Sequence, residues 1–338
     1  MVRRATPAVL RDPLSGPSAP LMAEAPTHTT PLPEQLPPTV SVVVATRDRP
    51  VLLARAVQAI LDQRYAGRVE CIVVFDQSQP GPINVTVPND RRLRTMSNDR
   101  TPGLAGARNT GLLAATGALV GFCDDDDEWM ADKLGRQVDV LLDNPSAPAV
   151  GCGVVLVENG RESAKPATLE QVTFSDLLRG RVWELNPCTV LARLDIVREQ
   201  VGLVDEELPG SYGEDYDWLL RTSKLAAIPM IDEPLVRINW HHGSFFQRRW
   251  TTISAALTYL LDKHPEFSTE PAGLARIQGQ IAFAQAASGQ RAAARRTAWS
   301  CLRNNWRERR AYLALAVSWH LLTPSSVVRA AHARGKGI

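Results

Sequence analysis

Cysteine is scarce and scattered. The five thiols, Cys71, Cys123, Cys152, Cys188 and Cys301, show no CxxC spacing. That argues against a structural zinc site and a disulfide framework, and it suits a reducing cytoplasm. No run of about 18 or more apolar residues occurs, so no membrane span is expected. No signal peptide is expected either. Arg3 and Arg4 supply early charge, but Pro7, Pro13, Pro17 and Pro20 interrupt what should be a continuous apolar stretch.

The 338 residues suffice for one large α/β domain plus something smaller. A hydrophobic content of 44% and a charged content of 22% are ordinary for a globular protein. The net charge of +2 hides an asymmetry. From Arg291 to Ile338 there are nine Arg and one Lys against one acid, Glu308, so that stretch carries +9 and the rest carries −7. Such a tail either meets an anionic partner or forms a solvated helical face.

Residues 1–38 hold nine prolines and little aliphatic periodicity, and read as a disordered tail. Order begins with the β-branched run Val40 to Ala45, which predicts a buried strand. Pro50 then opens a helix on which Leu52, Leu53, Ala56, Val57, Ile60 and Leu61 recur at helical spacing. Cys71 to Phe75 is a second strand, ending at Asp76. Strand, helix and strand within about 35 residues make a βαβ unit and a parallel sheet. A helix over 103–116, a strand over 118–123, a helix over 132–143 and a strand over 150–157 follow. Short helices are expected over 174–178 and 195–199, and a longer one over 215–225. Residues 250–338 form a basic helical region, divided from 39–249 near residue 249.

Four consecutive acids, Asp124 to Asp127, stand directly after the strand over 118–123. Unpaired, they repel one another strongly. Hard divalent ions bind such oxygens together with substrate phosphates. The alternative is an exposed acidic turn capping the next helix. Open α/β sheets bind ligands at the carboxyl ends of their strands, which favours the cation. Topology brings Thr46 and Asp76 to that same edge, although Asp76 alone reads equally well as a turn residue. Glu214 and Asp215 precede a helix, where acids either cap the helix or offer a general base. His241 and His242 add structural groups or ligands. Trp183, Trp218, Trp240, Phe245 and Phe246 are core residues or stacking surfaces for a sugar or lipid.

The segments VSVVVATRDRP, CIVVFDQSQ, GLAGARNTGLLAATGALVGFCDDDDEWM and GEDYDWLLR together resemble a family 2 glycosyltransferase of the GT-A fold, over residues 40 to about 245. The resemblance implies a Rossmann-like nucleotide-binding domain with a mixed, mostly parallel sheet, followed by the helical region. It implies that Thr46, Arg47 and Asp48 line the base and ribose pocket, and that Asp76 binds the base. Arg108 and Asn109 would face the nucleotide or its phosphates. Asp124 and Asp125 would hold the ribose and sugar side, and Asp126 a Mn²⁺ or Mg²⁺ ion, with His242 as a further ligand. Asp215, beside Glu214, would be the catalytic base. Phe75, Gln77 and the Thr46-Arg47-Asp48 run depart from the family pattern in the base pocket, so UDP is only the default nucleotide.

One carboxylate base plus a metal implies single-displacement, inverting transfer from a nucleotide-diphosphate sugar to a hydroxyl of a glycan or lipid-linked acceptor. A nucleotidyltransferase would show a Gly-rich phosphate loop after Ala45, and none is there. A non-catalytic sugar-binding scaffold would be expected to lack Asp126 or Asp215, and both are present. Nothing base-reading accompanies the basic tail, so no nucleic-acid partner is expected. The tail mixes Trp299, Trp306, Tyr312 and Trp319 with arginines. That suits peripheral contact with the cytoplasmic face of a membrane, or packing against the catalytic domain or a partner in a homo-oligomer.

Overall fold

The computed structural model describes residues 37–158, 160–240 and 249–332. The proline-rich start through residue 36, and His241, His242, Phe245 and Phe246, lie outside the described residues. The strands are β1 (Val40–Thr46), β2 (Val69–Phe75), β3 (Arg91–Ser97), β4 (Leu119–Asp124), β5 (Glu128–Trp129), β6 (Ala149–Glu158), β7 (Arg161–Lys165), β8 (Gln171–Val172), β9 (Leu191–Arg193) and β10 (Ile228–Trp240). The helices are α1 (Pro50–Leu61), α2 (Leu104–Ala114), α3 (Lys133–Asp143), α4 (Phe174–Arg179), α5 (Leu194–Ile196), α6 (Glu214–Leu225), α7 (Trp250–Lys263), α8 (Pro271–Ala287), α9 (Arg291–Asn304), α10 (Arg309–Ser318) and α11 (Pro324–His332).

The strands lie in the order β3-β2-β1-β4-β9-β6-β10-β5. The first four are parallel. Short β9 runs antiparallel to both β4 and β6 and joins the two halves. Beyond it, β6 and β10 are again parallel, so the sheet is mixed but mostly parallel.

The continuous apolar runs of β1 and β2 are explained by helices on both faces. Val40, Val42, Val44, Cys71 and Val73 face the layer of α1 and α3, with Leu53, Val57, Ile60 and Leu134. Val43, Ile72 and Val74 face the opposite layer, with Leu112 of α2 and Trp218 and Leu220 of α6. Each such side chain taken out of water is worth about 1.5–3 kcal/mol. Leu257, Leu260, Ile277 and Ile281 of α7 and α8 belong to this second core as well. Farther on, α8, α9 and α10 close a small core of their own around Phe283, Ala294, Ala298, Ala311 and Leu315.

The apolar runs became strands and the periodic segments became helices, within a few residues. Strands β3, β9 and β10 are not announced by any local sequence pattern. In β3, the polar RRLRTMS lies at the sheet edge, where no face is fully buried. The third, β10, carries Asp232, Glu233 and Pro234 at a register irregularity, and proline and charge argue against a central strand.

Candidate active site

The register of the parallel strands builds the site's floor. Thr46 pairs with Phe75, and Ala45 with Asp124, so Thr46, Asp76 and the acid run leave the sheet at one carboxyl edge. The chain turns immediately after β4, with the Asp127 amide donating to the Asp124 carbonyl at 3.2 Å. The four acids then divide. Asp125 is buried and accepts from the Thr46 hydroxyl at 2.7 Å and from Arg49 Nη1 at 3.1 Å. Asp127 is buried and accepts from the Asn239 amide at 3.0 Å and the Cys188 thiol at 3.2 Å. Burial, then the charges of Asp124 and Asp126, pushes Asp127 up to about 8. Asp124 and Asp126 keep partly open side chains, 39% and 21% exposed. Arg49 Nη1 reaches Asp126 at 2.8 Å. Asp124, Asp127 and Cys188 each bring one ligand atom within 4.8 Å of the others. A hydrogen bond with Cys123, and burial, raise the Cys188 thiol well above its ordinary value, so it stays protonated and the hard donors here are carboxylates.

Arg108, on α2, links this run to α6. Its Nη2 lies 2.7 Å from Asp124 and its Nη1 2.6 Å from Glu214, with the guanidinium 5.9 Å from the Phe122 ring centroid. Gly213, at φ 84°, turns the chain into α6 in the left-handed region that glycine tolerates. Of the acids that follow, Glu214 and Asp217 are buried. Burial pushes Glu214 up to about 7 against the pull of Arg108. Asp217 is ringed by Arg221 at 2.8 Å, Lys263 at 2.9 Å and His264 at 2.8 Å, which ties α6 to α7. Asp215 is the open one, with 24% of its side chain exposed. Its Oδ1 accepts from Arg181 Nη2 and from the Tyr216 amide, both at 2.8 Å. Its Oδ2 carries no hydrogen bond among the described residues.

Thr46, Asp125 and Asp126 are thus joined around Arg49, Asp124 and Glu214 are joined through Arg108, and Asp215 follows Glu214 in the chain and is held by Arg181. Other residues named from the sequence lie differently. Asn109 is fully buried and turned the other way. Its amide bonds the Val204 carbonyl and amide, both at 2.8 Å, and Glu206 at 2.6 Å, so it holds a loop rather than facing the cleft. Asp76 is buried and accepts from Asn98 at 2.8 Å, the Gly103 amide at 3.0 Å and Gln77 at 2.9 Å. Burial would raise its carboxyl; these bonds and the charge of Arg47 hold it below the usual value. Arg47 and Asp48 are exposed, 3.9 Å apart, with Asp48 at φ 54°. Trp218 is core, packed edge-on to Phe122 at 6.0 Å, whereas Trp183 and Trp240 are exposed. His242 lies outside the described residues. Sequence patterns missed Arg49, Arg181, Cys188 and Asn239. Arg49 sat in the quoted TRDRP run; the other three carried no local signal.

A family model described as "Glycosyl transferase family 2" matches residues 41–190. The chain is 27% identical over 192 residues to the UDP-Glc:alpha-D-GlcNAc-diphosphoundecaprenol beta-1,3-glucosyltransferase WfgD of Escherichia coli, covering 56% of this chain and 72% of that one. It is 25% identical over 217 residues to the putative teichuronic acid biosynthesis glycosyltransferase TuaG of Bacillus subtilis, covering 63% and 83%. Two solved structures share the fold. S. aureus TarS 1-349 in complex with UDP-GlcNAc has a TM-score of 0.54 at 17% identity, covering 83% of this chain and 90% of that one. The mannosyltransferase PcManGT of Pyrobaculum calidifontis, in complex with GDP-Man and Mn²⁺, has a TM-score of 0.51 at 18% identity, covering 86% and 82%. Residues 41–190 thus match glycosyl transferase family 2, and the chain has the GT-A fold of these glycosyltransferases.

Proposed function

We propose that the chain moves a sugar from a nucleoside-diphosphate sugar, UDP by default, to a hydroxyl of a cell-envelope glycan or lipid-linked acceptor, with inversion. The observation that carries this is the Arg108 bridge between Asp124 and Glu214, which ties the acid run to the start of the helix that also bears the open carboxylate of Asp215. Relatives lend support. TarS was solved with UDP-GlcNAc and PcManGT with GDP-Man, and the name of TuaG refers to teichuronic acid.

Asp124 and Asp126 fit a divalent cation. Both offer hard oxygen atoms and keep open surface, while Asp125 and Asp127 are spent on the protein. They would hold Mn²⁺ or Mg²⁺. When bound, that ion draws negative charge off the departing diphosphate. Arg49, which pairs with Asp126, is positioned to trade that carboxylate for a phosphate oxygen. Asp215 takes the acceptor's proton on its free Oδ2 as the acceptor oxygen bonds to the anomeric carbon and the bond from that carbon to the diphosphate oxygen breaks. Arg181, on the other oxygen, fixes the carboxylate's direction.

The proposed setting is the cytoplasmic face of a membrane. Among the described residues no helix is long and apolar enough to cross one. Support comes from Trp299, Trp306, Tyr312 and Trp319, which stand about half exposed or more on the basic helices and their connections.

Calorimetry tests the core of the reading. UDP, GDP and dTDP are titrated with and without Mn²⁺ into wild type and Asp126→Ala. One diphosphate should bind in a metal-dependent way and be lost in the variant. Binding of none of them to wild type overturns the proposal.

A further inference from the structure

Beyond Asp215 lies a cluster of cations of which the chemistry above uses only Arg181. Arg181 follows α4, Arg276 is on α8, and Arg310 is in the first turn of α10. Two of the guanidiniums close on a single ring. That of Arg181 is 5.0 Å from the Tyr216 centroid and that of Arg276 is 5.7 Å from it, with Arg276 Nη2 2.9 Å from the Tyr216 hydroxyl. That hydroxyl is itself committed, donating to the Leu177 carbonyl. Arg310 packs on the same helix that carries Arg276, with its Cβ 3.1 Å from where a Cβ at Gly279 of α8 would stand.

The acids at hand do not match these charges. Asp215 takes Arg181 at 2.8 Å, and Glu308 takes Arg310 at 3.1 Å. Among the described residues Arg276 has no acid partner. Burial lowers its guanidinium's value, and the like charges of Arg181 and Arg310 add to that. The Nε atoms of both Arg276 and Arg310 are buried without a hydrogen-bond partner. Stacking of arginines on Tyr216 to pin the C-terminal helices would explain the ring contacts. It would not explain two buried, unused guanidinium donors beside an uncompensated charge, because such donors are costly to leave unmade. An anion carrying several oxygens supplies the counter-charge that Arg276 lacks. Guanidinium forks match phosphate geometry, and a tetrahedral oxyanion can accept from more than one fork at once.

We propose that Arg181, Arg276 and Arg310 bind a phosphate group of the acceptor, which places the acceptor's reacting hydroxyl against Asp215. This rests on the glycosyl-transfer reading, with Asp215 as the shared point. Through its link to Asp215, Arg181 couples recognition of that phosphate to the orientation of the base.

The test titrates inorganic phosphate into the full chain, followed by phosphorus NMR, with and without saturating UDP and Mg²⁺. Wild type should bind phosphate even when the nucleotide is bound, because the two sites are separate. Arg276→Gln and Arg181→Gln should each weaken phosphate about tenfold or more, by loss of charge-assisted hydrogen bonds, with nucleotide binding and the thermal midpoint retained. Arg276→Lys should recover part of the affinity. A wild type that binds no phosphate, or variants that bind it as well as wild type, would overturn the proposal. A wild type that fails to bind any nucleotide strikes the glycosyl-transfer reading instead, since the nucleotide-free titration still reports on the cluster. Sedimentation with phosphatidylglycerol vesicles separates the sources of phosphate. Vesicle binding unchanged in Arg276→Gln fits an acceptor phosphate. Vesicle binding lost in step with inorganic phosphate assigns the cluster to a lipid headgroup and overturns the acceptor assignment.

Discussion

The guanidinium of Arg108 lies 2.6 Å from Glu214, and each side chain is 5% exposed. Removing one member of a buried pair strands the other, at a cost of about 3–5 kcal/mol. Here the stranded group can escape by protonating, since burial already pushes Glu214 up to about 7. A carboxyl raised in the folded state makes stability fall as pH rises from its unfolded value of about 4.3 through its folded value. Arg108→Met should therefore be penalised more at about pH 8 than at pH 6. Urea unfolding at both pH values checks this, and an equal penalty at the two would show that Glu214 does not titrate as described.

Asp215→Asn keeps the shape of the side chain but removes the basic oxygen. Transfer should fall by a factor of about 100–10,000, the range for a lost general base. Nucleotide affinity should be unchanged. Labelled-sugar transfer into cell-envelope extract, measured beside nucleotide calorimetry, tests the pair of outcomes. Near-normal transfer would remove Asp215 from the role of base.

Asp217 supplies an acid-sensitive anchor for α6 and α7. Burial alone would raise it, but the hydrogen bond from His264 and the charges of Arg221 and Lys263 hold it well below the usual carboxylate range. A depressed folded value means that its stabilisation is fully present above the unfolded value of about 3.9 and is lost as pH falls below it. Thermal midpoints recorded from pH 7 to pH 3 should drop less steeply in Asp217→Asn than in wild type, while the variant is less stable at pH 7. Parallel curves would contradict the anchor.

Gly273 sets how close α8 comes to α4. A Cβ there would stand 1.8 Å from the Leu178 carbonyl oxygen and 2.7 Å from its carbon, and backbone cannot yield cheaply. Gly273→Ala should cost about 1–3 kcal/mol or more and loosen the C-terminal helices. Thermal unfolding with limited proteolysis reads both effects. A variant as stable and as protease-resistant as wild type would show that the contact can relax.

Membrane contact, if it runs through the exposed aromatic side chains, should respond to them more than to any single charge. Replacing Trp306 and Trp319 together by Ser should weaken sedimentation with anionic vesicles by a factor of about ten or more, because two interfacial rings are lost. Since both rings are exposed, at 66% and 49%, folding should not suffer. Unchanged sedimentation would turn the tail towards another partner.

Legibility followed burial and chain order. The strands β1, β2 and β4 were visible because both of their faces are covered, so nearly every residue is apolar. The acid run and the Glu214-Asp215 pair were visible because like charges side by side need a reason. What escaped was relational. The sequence pattern shows four equal aspartates, but only packing turns Asp125 and Asp127 inward. Arg108 and Asn109 are neighbours on one helix turn, yet they face a cleft and a loop. Lys133 would ordinarily read as solvent-facing; instead it is fully buried against the Trp129 ring at 3.7 Å and donates to Gln137 at 2.7 Å.

The placing of β9 bears on where this chain can be cut. Its three residues fill the gap between β4 and β6, and they begin at Leu191, one position after the family-matched stretch ends. A clone trimmed to that stretch would leave one flank of β4 with unpaired backbone groups in the middle of the sheet. It should self-associate on a sizing column, because an open strand edge recruits further chains. Ribosomal synthesis meets the same gap: until residue 193 has emerged, the half-built sheet has an open seam at its centre, and the nascent chain is most exposed to misassembly there.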